Sequence, residues 1–449
     1  MAGREEQMAK APMLPLIIRM SLPVVAAQLV NLLYGIVDRI FIGHLPGIGA
    51  EALAGVGVCG SVLLIVSAFS GLVGGGGGPV AAIALGRGDR ERAEKCLGSG
   101  FTLLTALALT LTLALTLLAR PLLRLAGADD TLMPYALEYL TAYLPGTLFV
   151  MLMLGLTPFV NCQGQPKISM AAVTLSALTN LALDPLLMFT FGLGVRGAAM
   201  ATVIAQAAGC AVVLGFLLSR KASLRLRRKR LRPDWAVLGP MLALGLSPFV
   251  MSTTESLVGF TLNSSLAAYG PIYVSALAVM QSGMQLIGVP LNGFNQGAAP
   301  VVSYNYGRGD AERVHAAFRV IAAVMVGYNL LMTLAMLCFP RVMAGLFTDS
   351  TELIDTVEAC TPWFLSGMLI FGLQRACQTM FVALSQPKIS LFIAVLRKLI
   401  LLIPLVLLLR RLMGVTGVYL AESIADATAA LLCTAIFAWK YPGMMKKIR

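Results

Sequence analysis

The residue in this sequence best suited to do chemistry is Asp38, a carboxylate inside the apolar stretch from Pro23 to Gly43. Spacings of three and four residues place it on one helical stripe with Gln28, Asn31 and Gly35. A charge in hydrocarbon costs about 3 kcal/mol on insertion scales, so an aspartate there indicates a functional site that faces protein or water.

The alternative is that Asp38 and Arg39 merely end a helix at the lipid headgroups. Against it, Ile40, Phe41 and Ile42 continue the apolar run for about one further helical turn. The longer run favours a carboxylate inside the membrane.

A second carboxylate, Asp184, follows Asn180 by four residues in another apolar segment, so both share one helical face. At 1.5 Å per residue, Asp38 and Asp184 lie about 6 and about 10 Å from the same end of their helices, which are compatible depths. Thr202 and Gln206 again share a face in the next segment. Two close carboxylates in a poor dielectric can hold a proton near neutral pH, and with an amide and a hydroxyl they could instead coordinate a hard cation. For Asn180 and Thr202 alone, hydrogen bonding between helices is the simpler interpretation.

The composition predicts an all-α polytopic membrane protein. The chain of 449 residues is 58% hydrophobic and 12% charged, with a mean hydropathy of +0.84. Apolar runs of about 20 residues, separated by short polar breaks, predict twelve transmembrane helices and exclude a barrel of alternating strands. The eight cysteines are scattered singly, in no spacing typical of a disulfide framework or a metal site.

The distribution of basic residues predicts the orientation in the membrane. Most of the 34 Lys and Arg residues fall in loops on the side of the termini, which the positive-inside rule makes cytoplasmic. We therefore expect a multi-pass protein of the plasma membrane, a bacterial inner membrane, with both termini in the cytoplasm. The basic run Arg225–Arg230 is explained by topology and contact with anionic membrane lipid, without a nucleic-acid partner.

An internal repeat divides the chain into halves. Gly86–Asp89 (GRGD) recurs as Gly307–Asp310, and Gln165–Lys167 (QPK) recurs at the same offset as Gln386–Lys388. Because six helices are duplicated, both halves enter the membrane from the same side as parallel repeats. We predict a first lobe over residues 1–219 (helices 1–6), a basic cytoplasmic linker over 220–234 and a second lobe over 235–449 (helices 7–12). Two six-helix lobes that face each other across a cleft are typical of transporters.

The run Gly74–Gly78 resembles a phosphate-binding loop. It lacks the Lys-Ser/Thr pair that would follow in such a loop. Close helix packing or helix flexibility is the better prediction.

Several motifs together resemble those of the MATE (multidrug and toxic compound extrusion) transporters. They are LYGIVDRIFIG around Asp38, the GRGD and QPK loops, NLALDP around Asp184, and NQGAAPVVSYNYG from Asn295 to Gly307. The resemblance covers essentially the whole chain and implies antiport, in which organic, usually cationic, amphipathic compounds are exported in exchange for H⁺ or Na⁺. Related flippases of the same superfamily carry lipid-linked sugars, so a flippase or exporter of an endogenous metabolite is the alternative.

The resemblance also implies which residues act. It maps the cation site of the family's first lobe onto Asp38, Asn180, Asp184 and Thr202, with Na⁺ as the one metal that could bind there and no other cofactor. We expect a small-molecule substrate near Gln28, Asn31, Tyr34, Asn161 and Gln206.

Movement is expected in the first helix. Pro23 and Gly35 are two places where it could bend. Neutralising the two carboxylates would let this helix lean toward the fifth and expel the substrate. We expect the chain to act as a monomer and not as an enzyme, because no nucleophile–base pair or HExxH pattern occurs in the sequence.

The second lobe does not repeat the carboxylate site, since Leu401 and Leu405 occupy the equivalent positions. Glu255 matches an acidic position that one branch of the MATE family uses for sodium, although the acidic partner in the tenth helix is missing. We predict that Glu255 pairs with Arg375 or Arg397, as a structural or a functional ion pair. The second-lobe candidate site comprises Glu255, Gln281 and Arg375.

Overall fold

The structure is a computed structural model that describes residues 2–446, with side chains from residue 6 onward. Met1 and residues 447–449 lie outside it. They include the first residue of the predicted first lobe, the last residue of the predicted second lobe, and the basic residues Lys447 and Arg449. Within residues 2–446, twelve helices are long and apolar enough to cross a membrane. They are α1 (Met13–Gly43), α2 (Gly49–Gly86), α3 (Arg90–Leu117), α4 (Met133–Asn161), α5 (Pro166–Thr190), α6 (Gly194–Leu218), α7 (Trp235–Ala267), α8 (Pro271–Gly307), α9 (Ala311–Cys338), α10 (Thr351–Ala383), α11 (Pro387–Met413) and α12 (Val415–Lys446). The predicted all-α membrane fold and its number of spans are confirmed.

Shorter elements precede or connect the membrane helices. They are the helices Ala2–Lys10, Ala119–Leu125 and Pro340–Gly345 and a 3₁₀ turn at Arg228–Arg230. Four membrane helices are locally irregular: α4 and α10 contain 3₁₀ turns, α5 ends in a π turn and α11 contains one. The π turn of α5 directly follows Pro185, whose missing N–H removes one helical hydrogen bond.

The repeated GRGD motif forms the same turn in both halves. Gly88 and Gly309 take positive φ angles of 78° and 79°, which glycine adopts without a steric penalty. The aspartate that follows caps the next helix, because its carboxylate accepts a backbone N–H bond at 2.9 Å for Asp89 and 3.0 Å for Asp310. The sequence repeat therefore corresponds to a structural repeat, while the exact lobe boundaries stay a prediction.

Two groups of buried apolar side chains form the interior, one mainly from α2–α6 and the other mainly from α8–α12. The first helix of each half packs partly into the core of the other half. Leu16, Ile17 and Met20 from the first part of α1 belong to the second core, whereas Met241 and Leu244 from the first part of α7 belong to the first core. The later part of α1 lies against α5. Each half is thus anchored in the other through its first helix.

The halves touch through backbone at glycines of α2 and α7. A Cβ added to Gly76 would overlap the carbonyl oxygen of Met241, and one added to Gly245 would overlap that of Leu72. Two helices can approach this closely only where a side chain is absent. The run Gly74–Gly78 is therefore a packing surface.

A second contact joins α1 to α8, where Ser21 Oγ donates a hydrogen bond to the Phe294 carbonyl at 3.1 Å. Both contacts lie in the parts of the helices nearer the termini. Toward the other end, Gly60 of α2 and Glu255 and Ser256 of α7 are exposed. These close contacts between the halves therefore lie toward the end that carries the termini.

Candidate functional site

The four residues of the expected cation site come together where α1, α5 and α6 meet. Asn180 Nδ2 donates hydrogen bonds to Asp184 Oδ1 at 3.1 Å and to Thr202 Oγ1 at 3.4 Å. The Thr202 hydroxyl donates its own proton to the Ala198 carbonyl at 3.0 Å, which leaves it an acceptor toward Asn180. The carboxyl groups of Asp38 and Asp184 are within hydrogen-bonding reach of each other.

Three buried oxygen atoms without a donor lie in or beside this cluster. Asp38 Oδ1, Asp184 Oδ2 and Gln206 Oε1 are buried and receive no hydrogen bond from the residues that the structure describes. Asp184 is fully buried and Asn180 is 2% exposed. Burying such acceptors without a partner is costly. A proton shared by the carboxyls, or a hard cation held by carboxylate, amide and hydroxyl oxygens, would satisfy them.

Three tyrosines lie near the carboxyl pair, and two of them, Tyr139 and Tyr143, are buried in the first core. The Tyr34 hydroxyl lies beside the Gln206 amide, and the Tyr139 and Tyr143 rings stack with centroids 6.0 Å apart. Tyr139 is within electrostatic reach of Asp38. Aromatic faces attract organic cations, and Tyr34 is the one of the three tyrosines whose side chain is only partly buried. Sequence reasoning missed Tyr139 and Tyr143, although their spacing of four residues in α4 places them on one face.

The other residues expected to contact substrate are spread along the molecule. Gln28 is half-buried and Asn31 exposed, on the same helix as Tyr34. Asn161, by contrast, ends α4 at the end of the molecule that carries the termini, where it is 1% exposed and accepts a hydrogen bond from Ser169 Oγ at 2.7 Å. The structure does not bring Asn161 to the carboxylates; it holds the α4–α5 connection.

The two expected bending points of α1 have different surroundings. Val25, two residues after Pro23, packs closely on Gly293 of α8. A Cβ added to Gly293 would come within 2.7 Å of the Val25 Cα. At Gly35 an added Cβ would meet nothing within 4 Å. Pro23 thus lies in the part of α1 that packs closely on α8, and Gly35 lies in a part with free space around it.

In the second half, Glu255 pairs with neither of the predicted arginines. Its Oε1 lies 2.9 Å from Lys398 Nζ, whereas Arg397 donates to Asp426 Oδ1 at 2.6 Å and lies 3.6 Å from Glu422 Oε1. The prediction was wrong because neighbouring residues point about 100° apart on a helix. Sequence alone does not tell which of two adjacent cations faces α7.

Arg375 has a different environment from the one predicted. Its Nη1 donates to Asn292 Oδ1 at 2.8 Å, and its guanidinium lies 5.6 Å from the centroid of the Phe371 ring. Gln281 is half-buried and lies about 16 Å along α8 from Asn292. The structure therefore does not assemble Glu255, Gln281 and Arg375 into one site by direct contacts.

Curated relatives of this chain are multidrug export proteins. Among curated relatives, the chain is 25% identical to the multidrug export protein MepA of Staphylococcus aureus strain MSSA476, over 94% of this chain and 93% of the relative. It is also 25% identical to MepA of Staphylococcus haemolyticus strain JCSC1435, over 92% and 90%.

Solved structures share the fold. A MATE structure in the bent conformation superposes with a TM-score of 0.92 at 22% identity, over 99% of both chains. An outward-facing multidrug resistance MATE family transporter gives 0.90 at 22% identity, over 98% of both. The MatE family model matches residues 23–186 and 249–408. Since these two matches cover most of both halves of the repeat, the chain is a multi-pass membrane protein that belongs to the MatE family.

Proposed function

We propose that the chain exports organic, cationic amphipathic compounds in exchange for H⁺ or Na⁺, by alternating access. One observation carries the proposal: the carboxyl groups of Asp38 and Asp184 lie close together in the first half, and each has a buried oxygen that receives no hydrogen bond from the described residues. The names of the relatives as multidrug export proteins support the export of varied compounds.

Ion and substrate compete for the same negative charge. A proton or Na⁺ that enters from the side of the membrane opposite the termini neutralises the Asp38–Asp184 pair, with Asn180 and Thr202 as the neighbouring polar groups. An organic cation would use the Asp38 charge and the Tyr34 ring instead. Because binding of one weakens binding of the other, the two flows are coupled in opposite directions.

The moving part is the second portion of α1. Its first portion is held in the core of the second half by Leu16, Ile17 and Met20, while its later portion lies against α5. When the carboxyl pair is neutral, repulsion between α1 and α5 falls. The helix then bends near Pro23, closes on α5 and reduces the space for substrate.

The proposal includes the cellular setting. The protein acts as a monomer in the plasma membrane, a bacterial inner membrane, with both termini cytoplasmic and without a nucleic-acid partner. The excess of Lys and Arg in loops on the side of the termini supports this orientation. Two linker arginines pair with α3, at 3.2 Å for Arg227 and Glu94 and at 2.7 Å for Arg230 and Glu91, so part of the basic run serves the fold.

Dye efflux tests the proposal. Cells without their own exporters are loaded with ethidium, and accumulation is compared for the wild type, Asp184→Asn and the control Asp130→Asn. The Asp130 side chain is 95% exposed, so its loss leaves the site intact. Wild type and control should lower dye accumulation, and Asp184→Asn should not.

Sealed vesicles identify the coupling ion. A proton gradient and a sodium gradient are imposed one at a time while substrate movement is measured. Exchange driven by either gradient supports antiport. If no organic cation moves under either gradient, the proposal fails.

A further inference from the structure

A cavity of about 230 Å³ lies where α1, the N-terminal helix Ala2–Lys10 and the α4–α5 connection meet. Arg19 of α1 and Lys167 of α5 line it, together with the amides of Gln7 and Gln165. None of its described lining side chains is acidic. The site proposed for export uses none of these residues.

The two cations are poorly compensated. Arg19 donates one long hydrogen bond, to Gln7 Oε1 at 3.3 Å, and within residues 6–446 no carboxylate lies within ion-pair distance of Arg19 or Lys167. Glu6 in the adjoining segment is already paired with Lys10 at 2.8 Å. The N-terminal end of α5 adds its partial positive charge at the same place. The cavity therefore favours an anion.

An exposed apolar stripe of α1 borders Arg19, on a different face from the lining residues Leu16 and Met20. Leu14, Ile18 and Leu22 are 50%, 45% and 64% exposed, and their spacing of four puts them on one face. Arg19 borders this stripe, three residues before Leu22 and about 9 Å from the start of α1 at Met13. That is the depth of a membrane boundary, where a cation meets a headgroup while the stripe meets acyl chains.

The cavity also joins the two halves of the protein. Leu16 and Met20, which line it, belong to the core of the second half, whereas Cys162 beside the α4–α5 connection belongs to that of the first. We propose that this cavity binds the phosphate of an anionic phospholipid headgroup, such as that of phosphatidylglycerol. The phosphate contacts Arg19 from one side and Lys167 from the other, and so bridges the halves at the end that carries the termini. Basic pockets between membrane helices suit such headgroups.

The repeat supplies a matched control. The QPK motif recurs with Lys388 in the place of Lys167, but the position equivalent to Arg19 is Pro240. At these positions the second half thus has one cation, Lys388, where the first half has Arg19 and Lys167. Lys388→Gln removes the same charge from the same motif without touching the cavity.

The test measures lipid binding to the purified full chain in neutral detergent. Retained lipid is counted by native mass spectrometry, and the melting temperature is measured with phosphatidylglycerol, phosphatidylcholine or inorganic phosphate. We expect phosphatidylglycerol to be retained and to raise the melting temperature of the wild type and Lys388→Gln. Arg19→Gln and Lys167→Gln should each bind it about fivefold more weakly, since one cation near the surface is worth about 1 kcal/mol. Lys167→Arg should bind like the wild type.

Several outcomes would overturn the proposal. Equal affinity in wild type, Arg19→Gln and Lys167→Gln would show that the cavity does not hold the lipid, as would an equal loss in Lys388→Gln. Equal stabilisation by phosphatidylcholine would exclude recognition of the anionic charge. If inorganic phosphate alone gave the full stabilisation, the ligand would be a free phosphate and not a lipid. Should Arg19→Gln fail to fold, the exposed Lys167 still provides the decisive comparison with Lys388→Gln.

Discussion

The side-chain amide of Asn180 donates a hydrogen bond to Asp184 Oδ1 at 3.1 Å, one helical turn further along α5. The same amide contacts Thr202 of α6 at 3.4 Å, so Asn180 fixes the orientation of the carboxyl. The other oxygen, Asp184 Oδ2, is left without a donor from the described residues and is available to a proton or cation. A supporting bond that satisfies one oxygen and leaves the other free prepares the site for an exchangeable ligand.

Replacing either carboxylate by an amide should stop active export. Asp38→Asn and Asp184→Asn each keep the shape of the side chain but remove the charge that a coupling cation neutralises, so we expect at least a tenfold lower rate of dye efflux. Folding should be largely retained, because the change relieves repulsion between two buried acids. Efflux from cells and gel filtration of the purified variants measure the two effects.

Asp130 lies on an exposed loop at the same end of the molecule as the carboxyl pair. The variant Asp130→Asn therefore controls for the loss of one negative charge. It should export at the wild-type rate. Normal export by both Asp38→Asn and Asp184→Asn would contradict the assignment of the cation site.

Stability in the second half should depend on Arg397 far more than on Lys398. Arg397 is the partner of two buried acids, with the Asp426 side chain 1% and the Glu422 side chain 8% exposed. Removing it in Arg397→Gln leaves both without their cation and should cost about 3 kcal/mol. Lys398→Gln leaves Glu255, whose side chain is 67% exposed and can be hydrated, so we expect a loss below about 1 kcal/mol.

Thermal unfolding in one detergent compares the two variants. A clearly lower melting temperature for Arg397→Gln than for Lys398→Gln is the expected order. Equal melting temperatures would mean that the buried acids find another partner when the arginine is removed.

Much of this architecture follows from sequence pattern. Long apolar runs and the paired GRGD and QPK motifs predict twelve helices in two repeats, because in hydrocarbon the backbone must satisfy its own hydrogen bonds. The meeting of Asp38 with Asp184 was predictable too, since helical spacing and rise fix the face and depth of each carboxylate.

Other features depend on packing that no single helix encodes. The pairing of Glu255 with Lys398 depends on the rotation of α11, which contains a π turn from Leu396 to Leu402. Asn161 was expected near substrate, yet its hydrogen bond with Ser169 fixes a connection between helices. The exchange of α1 and α7 between the cores likewise depends on contacts between distant segments.

The close approach of α2 and α7 should not tolerate a side chain at Gly76. An added Cβ would overlap the Met241 carbonyl oxygen, so Gly76→Ala must push the helices apart and should cost about 1–3 kcal/mol, as overpacking does elsewhere. Gly71→Ala is the matched control on the same helix, since its Cβ would meet nothing within 4 Å. We expect a lower melting temperature for Gly76→Ala only. Equal stability of the two variants would show that the helices part at no cost.

Pro23→Ala should affect the rate of export more than the binding of substrate. Pro23 has no N–H to donate to the Arg19 carbonyl four residues earlier, and an alanine restores that hydrogen bond and stiffens α1. Because Pro23 lies nearer the end that carries the termini than Asp38 does, equilibrium binding of a fluorescent dye to the purified protein should change little, while efflux should slow severalfold. Pro15→Ala is the control, since Pro15 lies in the first turn of the same helix, where a missing N–H costs nothing. A Pro23→Ala protein that exports at the rate of Pro15→Ala would exclude this hinge and leave the cation site unaffected.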